Sequence, residues 1–213
     1  MGEIIEITKQ YIKKRFLSEM SPENGYYRYT HSLRVADIGQ KIAQAEGLDE
    51  EMLVLGCLLH DIGYVLCKTD EDFNDHGLLC AQVAGEFLKE QRYDPKKTES
   101  ICYGIRIHTQ PEEEMIRPAT VLENSIADAD NVDRFDAWRL ARRLCWDDLE
   151  ILHCRELREL VQGRVARAEI LRNIPFATET GRKMWNECLD LWAAVYKRLA
   201  CQMDMTLSWD KDI

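Results

Sequence analysis

Apolar residues recur at intervals of three or four along nearly the whole chain, and this spacing most narrows the folds open to it. Such intervals lay one stripe along an α-helix, whereas a half-buried strand needs strict alternation, and no stretch alternates convincingly. Over 213 residues only 11 Gly and 5 Pro punctuate the pattern, too few for the many turns of an all-β chain. An all-α fold is therefore predicted. Ile4, Thr8, Tyr11 and Ile12 open a first amphipathic helix that Ser21-Pro22 ends. His31, Val35, Ile38 and Ile42 mark a second, closing near Gly47, and Asp49 is placed to cap a third through Leu53, Cys57 and His60. The polar run KTDEDFND, residues 68–75, reads as a mobile loop before a fourth helix from about His76 to Gln91. A fifth helix spans about Lys96 to Thr109 and, after QPEEEMIRP, a sixth runs from about Ala119 to Leu144.

Beyond that point two longer stripes follow. Leu157, Leu160, Val161, Val165, Ala168 and Leu171 form one; after Pro175, Trp185, Leu189, Trp192, Tyr196 and Leu199 form the other. Stripes of this kind usually bury against one another, so a helical hairpin is expected, with a homodimer contact or a lid as its other uses. The organisation predicted is a core over residues 1–145 and a helical extension over 146–213 packed on it.

The formal charge of −10 opposes encounter with a nucleic-acid polymer or an anionic membrane, since long-range repulsion works against both. A small phosphorylated ligand stays compatible with it, because cations can reverse the sign locally. No run of about 18 apolar residues occurs. With no export signal at the N-terminus and eight cysteines lacking any CxxC spacing, a cytoplasmic protein with reduced core thiols is expected.

Chemistry concentrates in the histidines. Of five, His31, His60, His76 and His108 fall at helix ends or on apolar faces, while His153 lies in an ordinary polar setting. A single helical histidine is usually an unremarkable core or surface residue. Helix ends that converge, however, can gather ligands from distant sequence around one point. Asp61, next to His60, and Asp130, within SIADADNVD, add carboxylates whose burial would be costly without a compensating cation. Asp128 and Asp133 are assigned to solvent, caps or outer contacts.

In their order, THSLRVADIG (30–39), LLHDIG (58–63) and IADADNVD (126–133) resemble the H…HD…D motif of the HD superfamily of metal-dependent phosphohydrolases. The resemblance covers residues 25–140 or so and implies an HD-domain helical bundle with additional C-terminal helices. It implies that His31, His60, Asp61 and Asp130 bind a metal. His76 and His108 are similar to the extra histidines of dinuclear members; Asp61 would then bridge two ions, one with His31, His60 and Asp130 and one with His76 and His108. Imidazole and carboxylate suit Fe, Mn, Zn, Co or Ni, as one ion or two.

The activity so implied is hydrolysis of a small phosphoester, a nucleotide or related phosphate, by water that the cation activates to hydroxide, with Asp61 available as acid or base. Arg34, one turn after His31, Arg134, one turn after Asp130, and Lys68 are the expected phosphate cations. Two rival readings share the ligand set. One is a di-iron oxygenase of the HD fold, similar to myo-inositol oxygenase; the other is a nucleotide-binding sensor without catalysis.

Overall fold

The computed structural model describes residues 2–109 (the side chain of Glu71 apart), 116–147 and 153–210. Helices account for 82% of the described residues and no strand occurs among them, so the all-α prediction holds. Ten helices follow one another among the described residues: α1 (Glu3–Glu19), α2 (Pro22–Glu46), α3 (Glu50–Leu59), α4 (Asp70–Asn74), α5 (His76–Glu90), α6 (Pro95–Ile107), α7 (Val121–Asp133), α8 (Ala137–Trp146), α9 (Cys154–Leu171) and α10 (Glu179–Trp209). A 3-10 turn over Ile62–Leu66 links α3 to α4.

Backbone chemistry explains the main boundaries. Pro22 sits in the first turn of α2, where its missing N–H costs nothing. Asp49 caps α3 as expected, its carboxylate accepting from the Met52 amide at 3.1 Å. Thr120 and Glu123 cap α7 reciprocally: the Glu123 amide donates to the Thr120 hydroxyl, and the Thr120 amide donates to the Glu123 carboxylate.

Three expectations need correction. The second helix begins at Pro22, a full two turns before His31, because the tyrosine-rich run 26–29 continues the helix without adding an apolar stripe. The run 68–75 is not a bare loop: Asp72 accepts from the Lys68 and Thr69 amides and the chain winds into α4. The single sixth helix is two, because Asp136 accepts from the Ala137 amide and starts α8 afresh.

The chain divides into two compact units. The first comprises residues 1–131 and 176–181. Here α2 packs on α1 and α3, α6 on α3 and α5, and α5 on the 3-10 turn. Ile12, Phe16, Ile42, Leu53, Leu59 and Ile101 are fully buried at its centre. The second unit comprises residues 132–175 and 182–213. Its core joins Leu157 and Val161 of one predicted stripe to Trp192 and Tyr196 of the other, with Leu140 of α8 added. His153 is exposed ahead of α9, and its amide donates to Glu156 in the first turn.

All eight cysteines are free thiols, but only Cys57, Cys80 and Cys188 are buried, and Cys145 and Cys201 are exposed. The expectation of core thiols is thus right for three. No helix among the described residues is long and apolar enough to cross a membrane.

Candidate metal centre

Six side chains of the first unit meet at one place: His31 on α2, His60 and Asp61 at the end of α3, His76 at the start of α5, His108 just past α6 and Asp130 on α7. Sequence separations of up to 99 residues collapse because each residue lies where its helix turns inward or ends. Two glycines permit the approach. At Gly63 a side chain would meet the α5 backbone, 2.6 Å from the Cys80 nitrogen, so the turn after Asp61 lies directly on α5. At Gly77 it would strike the Arg106 carbonyl oxygen, so the start of α5 lies against the end of α6. These contacts bring His76 to His108 and both to Asp61.

Asp61 stands between two pairs of imidazoles. Its Oδ2 lies 3.5 Å from His31 Nε2 and 3.4 Å from His60 Nε2; its Oδ1 lies 3.3 Å from His76 Nε2 and 4.0 Å from His108 Nε2. Within the pairs the Nε2 atoms are 3.2 and 3.1 Å apart. Asp130 Oδ1 sits 3.1 Å from His31 and 3.7 Å from His60.

The outer nitrogens are tied down. Nδ1 of His60, His76 and His108 each donates to the carbonyl three residues earlier, on Cys57, Phe73 and Ile105. With the proton held at Nδ1, a neutral ring presents a bare Nε2 lone pair inward, which is how ligating histidines are usually oriented. Burial, followed by the neighbouring His60, lowers the His108 pKa to about 4, so this ring is neutral at ordinary pH. Burial alone would raise Asp61, but His60 and Arg28 outweigh it and hold the carboxyl well below its usual range.

Asp130 is held in place from the other end of α7. Glu123, which caps that helix, also bonds Ser100 on α6 at 2.8 Å and takes both Nη atoms of Arg117 at 2.9 and 2.7 Å. Burial works against its charge, but the Arg117 bonds and the Thr120 amide overcome it and bring its pKa to about 2.

The HD domain family profile matches residues 28–134, half of the chain. The chain belongs to the HD-domain family. Two solved structures share the HD fold across almost the full length. A predicted HD-superfamily hydrolase from an uncultured Thermotogales bacterium is 20% identical, with 92% of this chain and 91% of that one aligned at a TM-score of 0.65. An HD-superfamily hydrolase from Bacillus thuringiensis is 14% identical, with 98% and 97% aligned at 0.62. No curated protein matches the sequence significantly.

In this HD domain the carboxylates of Asp128 and Asp130 go to different places. Asp130 joins the cluster; Asp128, two residues earlier, accepts from the Ala177 amide at 2.9 Å. Burial raises Asp128 to a pKa of about 7 despite the Ala177 and Thr178 amides. Of the three cations expected from the sequence, Arg34 is half-buried on α2, Lys68 is exposed before α4, and Arg134 is exposed in the second unit.

One residue of the site escaped the sequence reading. Arg28 donates through Nη1 to Asp61 Oδ2 and lays its guanidinium over the Tyr64 ring, 3.5 Å from the centroid. It precedes His31 by three residues and so shares its helical face. Starting the second helix at Pro22 would have revealed it.

The donor set fits divalent cations. Among the described residues, three overlapping groups could each hold an ion: His31-His60-Asp61, His60-His108-Asp130 and Asp61-His76-His108, with ligand atoms within 4.8 Å of one another in each. Four imidazoles and two carboxylates without thiolate suit Fe, Mn, Zn, Co or Ni.

Proposed function

We propose that this HD domain hydrolyses a small phosphoester, a nucleotide or related phosphate, at a centre where six side chains would hold two cations, Asp61 contributing to both. A single observation carries the reading. His76 and His108 each spend the Nδ1 proton on a backbone carbonyl, yet their Nε2 atoms face each other at 3.1 Å. Two lone pairs at that distance repel; a cation between them turns the repulsion into ligation. Asp61, with one oxygen toward each imidazole pair, supplies negative charge to both sides at once.

His31, His60 and Asp130 would hold one ion and His76 and His108 the other, with Asp61 shared. Cations held there would supply a water acidified toward neutral pH and a counter-charge for the phosphoryl group. The chain's residues do the rest. The backbone carbonyls of Cys57, Phe73 and Ile105 keep three imidazoles aimed inward. Asp61, held ionised, serves as a ligand better than as a proton acceptor, so the hydroxyl that adds to phosphorus derives from water and the departing alcohol takes up the proton. Cationic side chains near the ligands, with Arg34 and Lys68 on adjoining segments, would orient the phosphate.

Metal analysis of the purified chain by inductively coupled plasma mass spectrometry, with a phosphate-release screen across Mn, Co, Ni, Zn and Fe, tests this. About two ions per chain together with phosphate release is the expected result. Iron with oxygen consumption and no hydrolysis would transfer the centre to oxygenase chemistry, and a chain that takes up no metal would end the assignment.

A further inference from the structure

The ligand cluster is not evenly covered. The side chains of His31, His60, Asp61 and His108 are 0–3% exposed and that of Asp130 9%, whereas His76 reaches 12% and Arg28 23%. Among the described residues, solvent therefore approaches the cluster along the side where His76 and Arg28 stand.

Tyr64 lies between those two. One contact of its ring is the Arg28 guanidinium; another is the His76 ring, with centroids 4.3 Å apart. On the margin stands Phe73, its ring 5.8 Å from Tyr64 and 43% exposed. A lone exposed phenylalanine needs no explanation. Phe73 differs because its own carbonyl receives His76 Nδ1, which fixes the residue beside the most accessible ligand of the cluster. Arg28 has five N–H donors by its chemistry, and among the described hydrogen bonds only Nη1 is committed to Asp61. A guanidinium stacked on an aromatic ring keeps its fork in one plane with donors to spare, an arrangement matched to phosphate oxygens.

We propose that Arg28, Tyr64 and Phe73 form the substrate-recognition mouth: Arg28, positioned on Tyr64, seats the non-bridging phosphate oxygens, and Phe73 stacks on a planar group in the leaving alcohol, such as a nucleobase. The proposal rests on the phosphoester reading and narrows its substrate class to phosphate esters that carry a flat aromatic ring. It also assigns phosphate recognition first to Arg28, ahead of Arg34 and Lys68.

Isothermal titration of the metal-loaded full chain tests it with three probes that cannot be hydrolysed at a P–O ester: inorganic phosphate, methylphosphonate and the phosphonate analogue of adenosine monophosphate. Arg28→Met weakens all three by about tenfold or more, and Arg28→Lys restores part of the loss through its point charge. Phe73→Ala weakens only the adenosine analogue, by about tenfold, the usual size of one base–aromatic stack. Circular dichroism and metal content accompany each variant. If Arg28→Met at full metal occupancy binds phosphate like the wild type, or loses binding only in step with lost metal, Arg28 is merely a partner of Asp61 and the mouth is overturned. An adenosine analogue bound no tighter than methylphosphonate by the wild type removes Phe73 from it. A wild-type chain with its full metal complement that binds none of the probes refutes the phosphoester reading itself, which separates the two failures.

Discussion

Residues of identical type take different roles according to where their polar atoms are sent. His76 and His108 aim Nε2 at Asp61, while His153 stands exposed at the start of α9. His76→Ala or His108→Ala should each lower metal content by about one ion per chain and sharply depress turnover, because a two-metal centre acts as a unit. His153→Ala, measured alongside by mass spectrometry, should change neither. The two aspartates of the DAD run divide in the same way. Asp128 keeps its proton in the folded protein up to a pKa of about 7, against an ordinary 3.8. Since the folded pKa is the higher, its contribution to stability is full below pH 3.8 and is lost as pH rises through 7. Thermal melts of chelator-treated protein should show the wild type weakening between about pH 4 and 7 relative to Asp128→Asn, which keeps an acceptor for Ala177 but carries no charge to bury. Equal pH profiles would mean that Asp128 stays ionised throughout.

Among the elements, the approach of α5 to α6 decides whether a second group of ligands exists. Gly77 allows it, because any Cβ there would strike the Arg106 carbonyl. Gly77→Ala should cost about 1–3 kcal/mol by forcing the two backbones apart. In the folded variant, metal analysis should show the His76-His108 ion lost in preference to the other. Gly163, within α9, provides the contrast: an added Cβ meets nothing within 4 Å. There Gly163→Ala should stabilise by about 0.5–1 kcal/mol, read from a denaturant melt, through the helix propensity gained alone. The element scale also shows why Arg28 was illegible. Tyr26, Tyr27 and Tyr29 offer no apolar period, so the helix start at Pro22 was hidden and with it the shared face of Arg28 and His31.

At the scale of the molecule, two units with separate cores occupy one chain. The second is held by the facing stripes of α9 and α10, with Leu157 buried among Val161, Trp192 and Tyr196. Leu157→Ala should cost about 2–4 kcal/mol in a denaturant melt, from lost burial and the cavity left behind. The folded fraction should keep its metal, since every candidate ligand belongs to the first unit; a parallel loss would show that the centre depends on the second core. Structures only 14–20% identical share this fold over more than nine-tenths of the chain. That is the behaviour expected when periodic burial, rather than particular residues, specifies a helical architecture. The sequence by itself determined the helical class, because three-to-four spacing is local and survives without neighbours. It also singled out six candidate ligands, four by the order of a motif and His76 and His108 by their likeness to the extra histidines of dinuclear members. Only the tertiary structure decided that Asp130 and not Asp128 turns toward the histidines, that α7 and α8 are separate helices, and that Arg28 lies on Tyr64 against Asp61. Those outcomes depend on which backbone or side chain arrives from distant sequence to meet each group, and no local pattern of residues encodes that encounter.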